Sequence, residues 1–357
     1  MIDFSQLYTK DFYIKHLEWD GKILRALDQR LLPDNISWVN AASLEDVFNL
    51  IKNMHVRGAP LIGIVAAFGV VLDIKSNIAK DVLGLERQIN CAIESLSQSR
   101  PTAVNLYWAL ERIRRVFKEN RDRELLELIK IIENDAISIW REDIEQSCLM
   151  GDLGAELIEE GDSVLTHCNA GGLATGGYGT ALAVFFSAKE RGKSFSVYVD
   201  ETRPLLQGSR LTCWELKEAK IDHVLITDNM AGFLMKEGKV NKVFVGADRI
   251  VRNGDFANKI GTYSLARLAA VHNVPFYVVA PSTTFDLSLN QGEDIPIEIR
   301  GSSEVLSISG VNIAPLETKV NNPAFDITES EFITAIITEK GIIEKPFKDN
   351  IERILNG

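Results

Sequence analysis

The sequence predicts an α/β protein whose larger part is built on a parallel sheet. From residue 161 onward, short runs of β-branched and aromatic residues alternate with helical segments, an order typical of right-handed βαβ units. These runs cover residues 164–166, 195–199, 224–227, 242–246 and 275–280. Before residue 140, apolar residues recur every three or four positions, as in 124–132, and this period predicts helices. The change of pattern predicts one domain over 1–145 and a second over 146–357.

The first domain is expected to begin with short strands and to continue as a helical bundle. Apolar runs lie over 23–32 and around Trp38, and the segment 32–35 between them, Leu-Pro-Asp-Asn, has the composition of a turn. Ser43 then precedes a stretch with two early acidic residues, which is typical of a helix start. Helical periodicity continues from there to about Trp140.

Composition excludes several classes of protein. The 357 residues are 46% hydrophobic and 25% charged, as in a folded globular chain. The net charge of −11 argues against nucleic-acid binding through a basic face, although a few local donors can still hold a small anion. Four cysteines without CxxC spacing and five scattered histidines predict neither a disulfide scaffold nor a metal site.

The sequence also carries predictions about location. The N-terminus lacks the basic and apolar regions of a signal peptide, and no apolar run approaches the roughly 20 residues that span a bilayer. We therefore expect a cytoplasmic protein that does not bind a membrane.

Polar residues follow the apolar runs of the second domain, at the strand ends where parallel sheets bind their ligands. Cys168 follows such a run and precedes the glycine-rich stretch 171–179, which leads into a helix. This position favours anion binding and a reactive thiol, and the alternative is a small buried hydrophobic residue. Asp248 also follows a run. In an apolar pocket it would serve as a general acid, and the alternative is a cap for the next turn.

Two arginines beside glycine or proline are candidates for binding phosphate. Arg57 precedes Gly58 and Ala59, and Arg100 precedes Pro101. Such neighbours hold a guanidinium rigidly, which suits bidentate recognition of phosphate. The alternative is a structural ion pair.

Further polar side chains can contact a sugar. Lys259, after Asn258, can reach a phosphate or a hydroxyl, or it can simply be solvated. Gln207 can donate and accept hydrogen bonds to a polyol. His167 beside Cys168 suggests a Cys–His dyad, but neighbours in a strand point to opposite faces, which argues against a direct pair.

Together these segments resemble the S-methyl-5-thioribose-1-phosphate isomerase family, which shares a superfamily with the regulatory subunits of translation initiation factor 2B. The resemblance extends from about residue 20 to about residue 345. It is carried by residues 57–63, 100–106, 165–169, 200–208, 245–249, 258–262, 322–326 and 334–339. It implies an N-terminal domain with a small sheet and a helical bundle, a C-terminal Rossmann-like domain, a homodimer and no cofactor.

The resemblance also implies an activity, the conversion of 5-methylthioribose 1-phosphate to 5-methylthioribulose 1-phosphate in methionine salvage. Cys168 and Asp248 match the family's catalytic pair, with Asp248 as the proton donor. The positions that match its substrate-binding set are Arg57, Gly58, Ala59, Arg100, Gln207, Asn258 and Lys259.

Some segments depart from the family pattern and leave alternatives open. They are residues 171–178, 286–292 and 303–314, which could shape the pocket for the group at C5 of the sugar. One alternative is therefore an isomerase of 5-deoxyribose 1-phosphate or another 5-substituted ribose phosphate. The other is a non-catalytic regulatory subunit that binds a sugar phosphate or a nucleotide.

Overall fold

The computed structural model describes residues 14–100, 104–315 and 317–356. These residues form two compact units. The first contains the described residues up to 146 together with 172–179, and the second contains 147–171 and the described residues from 180 onward. The domain boundary after residue 145 stays a prediction of the sequence.

The first unit opens with a three-stranded antiparallel sheet in the order β1-β2-β3. The strands are β1 (Leu17–Trp19), β2 (Leu24–Leu27) and β3 (Trp38–Ala41). β2 and β3 lie in the predicted apolar runs, so the small sheet is confirmed. β1 was not predicted, because three consecutive buried residues are too few to show a period.

Helices follow this sheet, as predicted. Their bounds are α1 (Leu44–Lys52), α2 (Ala59–Ser76), α3 (Val82–Ser97), α4 (Val104–Glu119) and α5 (Leu125–Ala155). The predicted start of α1 is confirmed by a capping box. Asp46 N–H donates to Ser43 Oγ, and Ser43 N–H donates to the Asp46 carboxylate at 3.0 Å.

Helix α2 corrects the expectation that no apolar run is long enough to span a bilayer. Of the helices in the described part of the chain, it is the one whose length and composition would allow a crossing. However, 72% of it is buried inside the protein, as in the core helix of a globular domain.

The second unit contains the remaining strands and helices. The strands are β4 (Ser163–Thr166), β5 (Ser196–Asp200), β6 (His223–Ile226), β7 (Lys242–Val245), β8 (Arg249–Val251), β9 (Phe256–Lys259), β10 (Phe276–Val279), β11 (Phe285–Asp286), β12 (Ser307–Ile308), β13 (Val311–Asn312), β14 (Phe325–Thr328), β15 (Ala335–Thr338) and β16 (Gly341–Glu344). The helices are α6 (Ala181–Glu190), α7 (Cys213–Glu218), α8 (Ala231–Lys236), α9 (Thr262–Val271), α10 (Ser303–Leu306) and α11 (Phe347–Asn356).

A seven-stranded sheet in the order β16-β15-β10-β7-β4-β5-β6 forms the core of this unit. Its pairs are parallel except β15 with β16. The five runs that predicted strands all lie in this sheet, so the Rossmann-like α/β class is confirmed. Every residue of β10 and β15 is buried, as expected for parallel strands covered on both faces.

A second sheet, in the order β11-β8-β9-β14, was not predicted. Its strand β9 reads Phe-Ala-Asn-Lys, and asparagine and lysine are depleted in strands. All four of its residues are nevertheless buried. This sheet carries Asn258 and Lys259.

Candidate active site

The turn after β4 holds the candidate nucleophile. β4 ends at Thr166, and Cys168 lies two residues later with a left-handed backbone, φ 67°, and a half-buried side chain. The argument that His167 and Cys168 point to opposite faces of a strand is therefore wrong, because neither residue lies in a strand. The alternative of a fully buried Cys168 is wrong as well.

Two threonine hydroxyls contact the peptide groups of Cys168. The Cys168 N–H donates to Thr202 Oγ1 at 2.8 Å, and the Thr212 hydroxyl donates to the Cys168 carbonyl at 2.6 Å. Thr202 lies just after β5, and Thr212 ends a π-helical turn over Gly208–Thr212. The turn is thus connected to the carboxyl end of the neighbouring strand.

His167 is buried between two acceptors. Its Nδ1 lies 2.9 Å from Asp200 Oδ2, and its Nε2 lies 2.9 Å from the carbonyl oxygen of Ile260. A carbonyl can only accept, so Nε2 carries a proton. Burial alone would lower the pKa of this imidazole, but the hydrogen bond and the charge of Asp200 outweigh burial and raise it.

The same histidine belongs to a group of possible metal ligands. Ligand atoms of His167, Asp200 and Asp228 lie within 4.8 Å of one another. Sequence spacing did not indicate this group, because its members lie at the ends of three different strands. Asp228 accepts hydrogen bonds from the backbone N–H groups of Thr202 and Arg203, each at 2.8 Å. These bonds describe a hydrogen-bonded network, and the absence of a metal stays a prediction.

Asp248 lies just after β7, the strand that pairs in parallel with β4. Cys168 and Asp248 therefore each follow the carboxyl end of a strand, as the sequence predicted, and the structure shows that these two strands are neighbours. The Asp248 side chain is half-buried, and its backbone N–H donates to the Ala257 carbonyl at 2.9 Å. This bond connects Asp248 to β9.

Asn258 and Lys259 on β9 are both 6% exposed, so the alternative of a solvated Lys259 is wrong. Lys259 Nζ donates to the Ala324 carbonyl at 2.8 Å and lies 4.7 Å from the centre of the Phe325 ring. Asn258 Nδ2 donates to Thr262 Oγ1 at 3.0 Å. Both side chains are held firmly at the end of β9.

Gln207 precedes the π-helical turn, close to the carboxyl end of β5. It is 6% exposed, and its Oε1 has no hydrogen-bond partner among the described residues. The turn approaches β5 closely, because a Cβ on Gly208 would lie 1.7 Å from the Asp200 carbonyl oxygen. A buried amide oxygen without a donor can accept a hydrogen bond from a ligand hydroxyl.

In the first unit, Arg57, Gly58 and Ala59 form the start of α2. Gly58 is the N-cap with φ 101°, and Ala59 is the first helical residue. Arg57 Nε donates to Gln29 Oε1 at 3.2 Å. The N-terminal N–H groups and the helix dipole there favour an anion. Arg100 is half-buried and lies shortly before α4, whereas Pro101 lies outside the described residues.

The loop over 172–179 also belongs to the first unit, and side chains of that unit hold its backbone. These bonds join His16 Nε2 to Thr175 O at 2.8 Å, Gln29 Nε2 to Leu173 O at 2.7 Å, Trp140 Nε1 to Gly176 O at 2.7 Å and Gly176 N to Asp143 Oδ2 at 2.5 Å. Burial lowers the pKa of His16 to about 4 and raises that of Asp143 to about 7. The backbone groups of the loop are therefore bonded within its own unit.

Sequence reasoning listed Thr202 and Asp228 among the polar residues that follow predicted strands but gave them no role, and it missed Thr212, which also contacts the turn. Asp326 on β14 was not singled out either. Asp326 accepts from the N–H groups of Gly261 and Tyr263, at 2.7 and 3.1 Å, and so fixes the end of β9. The available signal was position: Thr202 and Asp228 follow predicted strands. Their partners lie 25 or more residues away, so local patterns could not identify the contacts.

Comparison with known proteins places this arrangement in a family. The sequence model of the initiation factor 2 subunit family matches residues 55–345. The chain belongs to this family of α/β proteins, in the branch of the methylthioribose-1-phosphate isomerases. A protein of that name from Thermotoga maritima strain MSB8 is 53% identical over 341 residues, which cover 96% of this chain and 98% of the relative.

Similar solved structures agree with this family assignment. The 5-methylthioribose 1-phosphate isomerase from Pyrococcus horikoshii OT3 matches with a TM-score of 0.91 and 44% identity, over 98% of both chains. A structure described as the translation initiation factor eIF-2B subunit delta from A. fulgidus matches with a TM-score of 0.85 and 44% identity, over 96% of this chain and 100% of that chain. The fold therefore occurs under both names.

Proposed function

We propose that this protein is an aldose–ketose isomerase that converts 5-methylthioribose 1-phosphate to 5-methylthioribulose 1-phosphate, in methionine salvage and in the cytoplasm. The observation that carries the proposal is the placement of Cys168 and Asp248 after the paired strands β4 and β7. Relatives about half identical to this chain carry the name of this enzyme.

The substrate dictates what the site must do. A phosphate on the anomeric oxygen prevents the sugar from opening to a free aldehyde, so the ordinary enediol route cannot start. The enzyme must protonate the ring oxygen, break the bond between C1 and O4, and move hydrogen from C2 to C1. Asp248 is the proposed proton donor, and Cys168 stabilises the developing charge or shuttles a proton.

Contacts to the sugar are proposed for Gln207, Asn258 and Lys259. The unpartnered Oε1 of Gln207 accepts a hydrogen bond from a sugar hydroxyl, which supplies the donor that this buried oxygen lacks among the described residues. Lys259 and Asn258, held at the end of β9, provide donors for the sugar or the phosphate.

Phosphate binding is proposed for residues 57–59 and Arg100. Arg57 and the N–H groups of Gly58 and Ala59 at the start of α2 make a site of positive potential, and Arg100 adds a second guanidinium. Arg57→Ala should raise KM by at least tenfold while kcat changes less. An unchanged KM would remove Arg57 from the phosphate site.

The catalytic pair is tested by Asp248→Asn and Cys168→Ser, which keep the size of each side chain. We expect kcat to fall at least 100-fold in each variant with KM near the wild-type value, because general acid–base groups contribute about 10²–10⁴-fold. The ketose product is measured directly. Near-normal turnover in Asp248→Asn would exclude it as the acid.

The hydrogen path is decided by running the reaction in D₂O. Solvent deuterium at C1 of the product shows proton transfer. Its absence shows transfer without exchange, as for a hydride that moves from C2 to the electrophilic C1.

A regulatory subunit without catalysis is the second candidate, because the A. fulgidus structure described as an initiation factor is 44% identical to this chain. Incubation with 5-methylthioribose 1-phosphate separates the two, since a regulatory subunit forms no ketose. Values of kcat/KM for 5-methylthioribose, 5-deoxyribose and ribose 5-phosphate substrates, each phosphorylated at C1, then identify the group accepted at C5.

A homodimer is proposed on the apolar edge of the second unit. β6 ends the seven-stranded sheet, and its Val224 and Leu225 are 48% and 50% exposed. Met230 and Phe233, which follow β6 in the chain, are exposed as well. An exposed apolar edge favours association with a second copy. Leu225→Asp should halve the mass measured by light scattering, and an unchanged mass would move the interface elsewhere.

A further inference from the structure

The backbone of Cys168 has a conformation that its own side chain disfavours. Its φ of 67° lies in the left-handed region, which costs a non-glycine residue energy that the surroundings must offset. The regular hydrogen bonds of a strand do not impose this conformation, because β4 ends at Thr166. Neighbouring groups must therefore hold the turn.

Two hydroxyls contact the peptide groups of Cys168, one as a hydrogen-bond acceptor and one as a donor. Thr202 Oγ1 accepts from the Cys168 N–H, while its own proton goes to the Asp200 carbonyl at 3.0 Å. Thr212 donates to the Cys168 carbonyl, while its oxygen accepts from Asn169 Nδ2 at 3.1 Å. Each hydroxyl is oriented by its second partner, so neither can exchange roles.

Both threonines are fully buried and are themselves held in place. Thr202 has a left-handed backbone, φ 63°, and its N–H donates to Asp228 Oδ1 at 2.8 Å. Thr212 ends the π-helical turn, and the absence of a side chain at Gly208 allows that turn to lie against Asp200. π-Helical turns occur frequently at functional sites.

We propose that Thr202 and Thr212 are positioning residues of the isomerase: their hydroxyls hold Cys168 in the left-handed turn and thereby set the direction of its thiol. The inference rests on the proposed function, in which Cys168 takes part in the reaction. Neither threonine needs to touch the substrate.

The test uses Thr202→Val and Thr212→Val, which remove each hydroxyl and keep the shape, with Thr202→Ser and Thr212→Ser as rescue variants. Thr328→Val is the matched control, because Thr328 is a fully buried threonine of β14 whose hydroxyl has no partner among the described residues. Three quantities are measured for each: kcat and KM, the melting temperature, and the rate at which iodoacetamide alkylates Cys168 across pH, followed by peptide mass spectrometry.

We expect each valine variant to lower kcat about 10- to 100-fold, with KM within twofold and a changed pH profile of Cys168 alkylation. The serine variants should return both quantities to within threefold of wild type, and Thr328→Val should change neither. Valine variants with unchanged kcat and an unchanged alkylation profile would overturn the proposal. So would a loss that the serine variants share, because a serine keeps the hydroxyl.

The failure of the proposed function gives a different result. If the Cys168→Ser variant turns over normally, Cys168 has no catalytic role. The kcat of the threonine variants then no longer tests whether the threonines position Cys168. The alkylation profile still does: it changes in the valine variants if the hydroxyls hold the turn, and it stays as in wild type if they do not.

Discussion

Two stretches of chain that follow β4 are held in place by different kinds of side chain. The turn at Cys168 is fixed by small hydroxyls that contact its peptide groups, and the nearby His167 is held between Asp200 and Ile260 O. The loop over 172–179 is instead fixed by long side chains, among them His16 and Trp140, that donate to its carbonyls. Turn and loop each contain one buried histidine contact, and the pKa values of the two imidazoles shift in opposite directions.

The difference follows from the charge of the acceptors. His167 faces a carboxylate as well as a carbonyl, and the hydrogen bond and charge of Asp200 raise its pKa in spite of burial. His16 faces a neutral carbonyl in a fully buried position, so its pKa is lowered to about 4 and the imidazole stays neutral. The same residue type thus has a raised pKa beside a carboxylate in one unit and a lowered pKa beside a carbonyl in the other.

The largest effect is expected for His167→Gln, which removes the partner of the buried Asp200. Breaking a buried pair in this way should reduce the free energy of unfolding by about 4 kcal/mol. Because the pKa of His167 is raised on folding, its contribution is full below pH 6.5 and is lost as pH rises through the folded value. Urea unfolding of wild type from pH 6.5 upward should show this decline.

The His167→Gln variant should lack this decline in stability with rising pH. The control is His272→Gln, which should keep the decline, since His272 lies at the C-terminal end of α9. If the difference between wild type and His167→Gln has no pH dependence above 6.5, the imidazole is neutral in the folded protein.

The next effect concerns His16, whose contribution to the free energy of unfolding has the opposite dependence on pH. Its pKa falls from 6.5 to about 4 on folding, so wild-type stability is full above pH 6.5 and is lost as pH falls towards 4. The shift corresponds to about 3 kcal/mol at pH 4. In His16→Gln this acid loss should be absent. Equal acid sensitivity of the two proteins would show that His16 is protonated or exposed in the fold.

The smallest effect on the free energy of unfolding is expected for Gly58→Ala, which tests the close packing of Gly58 against the loop over 172–179. A Cβ at Gly58 would lie 2.5 Å from backbone atoms of Ala174, and φ there is 101°. Gly21 has a similar φ of 93° with no atom within 4 Å, so Gly21→Ala measures the backbone strain alone. We expect Gly58→Ala to exceed it by about 2 kcal/mol of unfolding free energy, the cost of overpacking. Equal losses would mean that Ala174 can move away.

The sequence predicted what depends on local pattern. Five of the seven strands of the large sheet and the start of α1 came from periodicity and spacing, which neighbouring residues determine. The positions of Cys168 and Asp248 after strands followed from a general rule for parallel sheets, whereas the pairing of those two strands did not.

Contacts between distant residues could not be predicted in this way. Cys168 and Thr202 are 34 residues apart, and His16 and Thr175 are 159 apart. The left-handed φ of Cys168 leaves no mark in the sequence, because asparagine or glycine would be the expected residue there. The strand β9 was missed because burial, rather than propensity, selects its asparagine and lysine.

The division of the chain has a consequence for how the protein can be cut. Residues 172–179 count with the first unit, while the stretches on either side of them count with the second. Neither unit is therefore one uninterrupted piece of polypeptide. Severing the chain near residue 146 would deprive the first unit of a segment that His16, Gln29 and Trp140 bind. A genetic rearrangement that replaced the chain on one side of this point would therefore leave the first unit without its own segment 172–179.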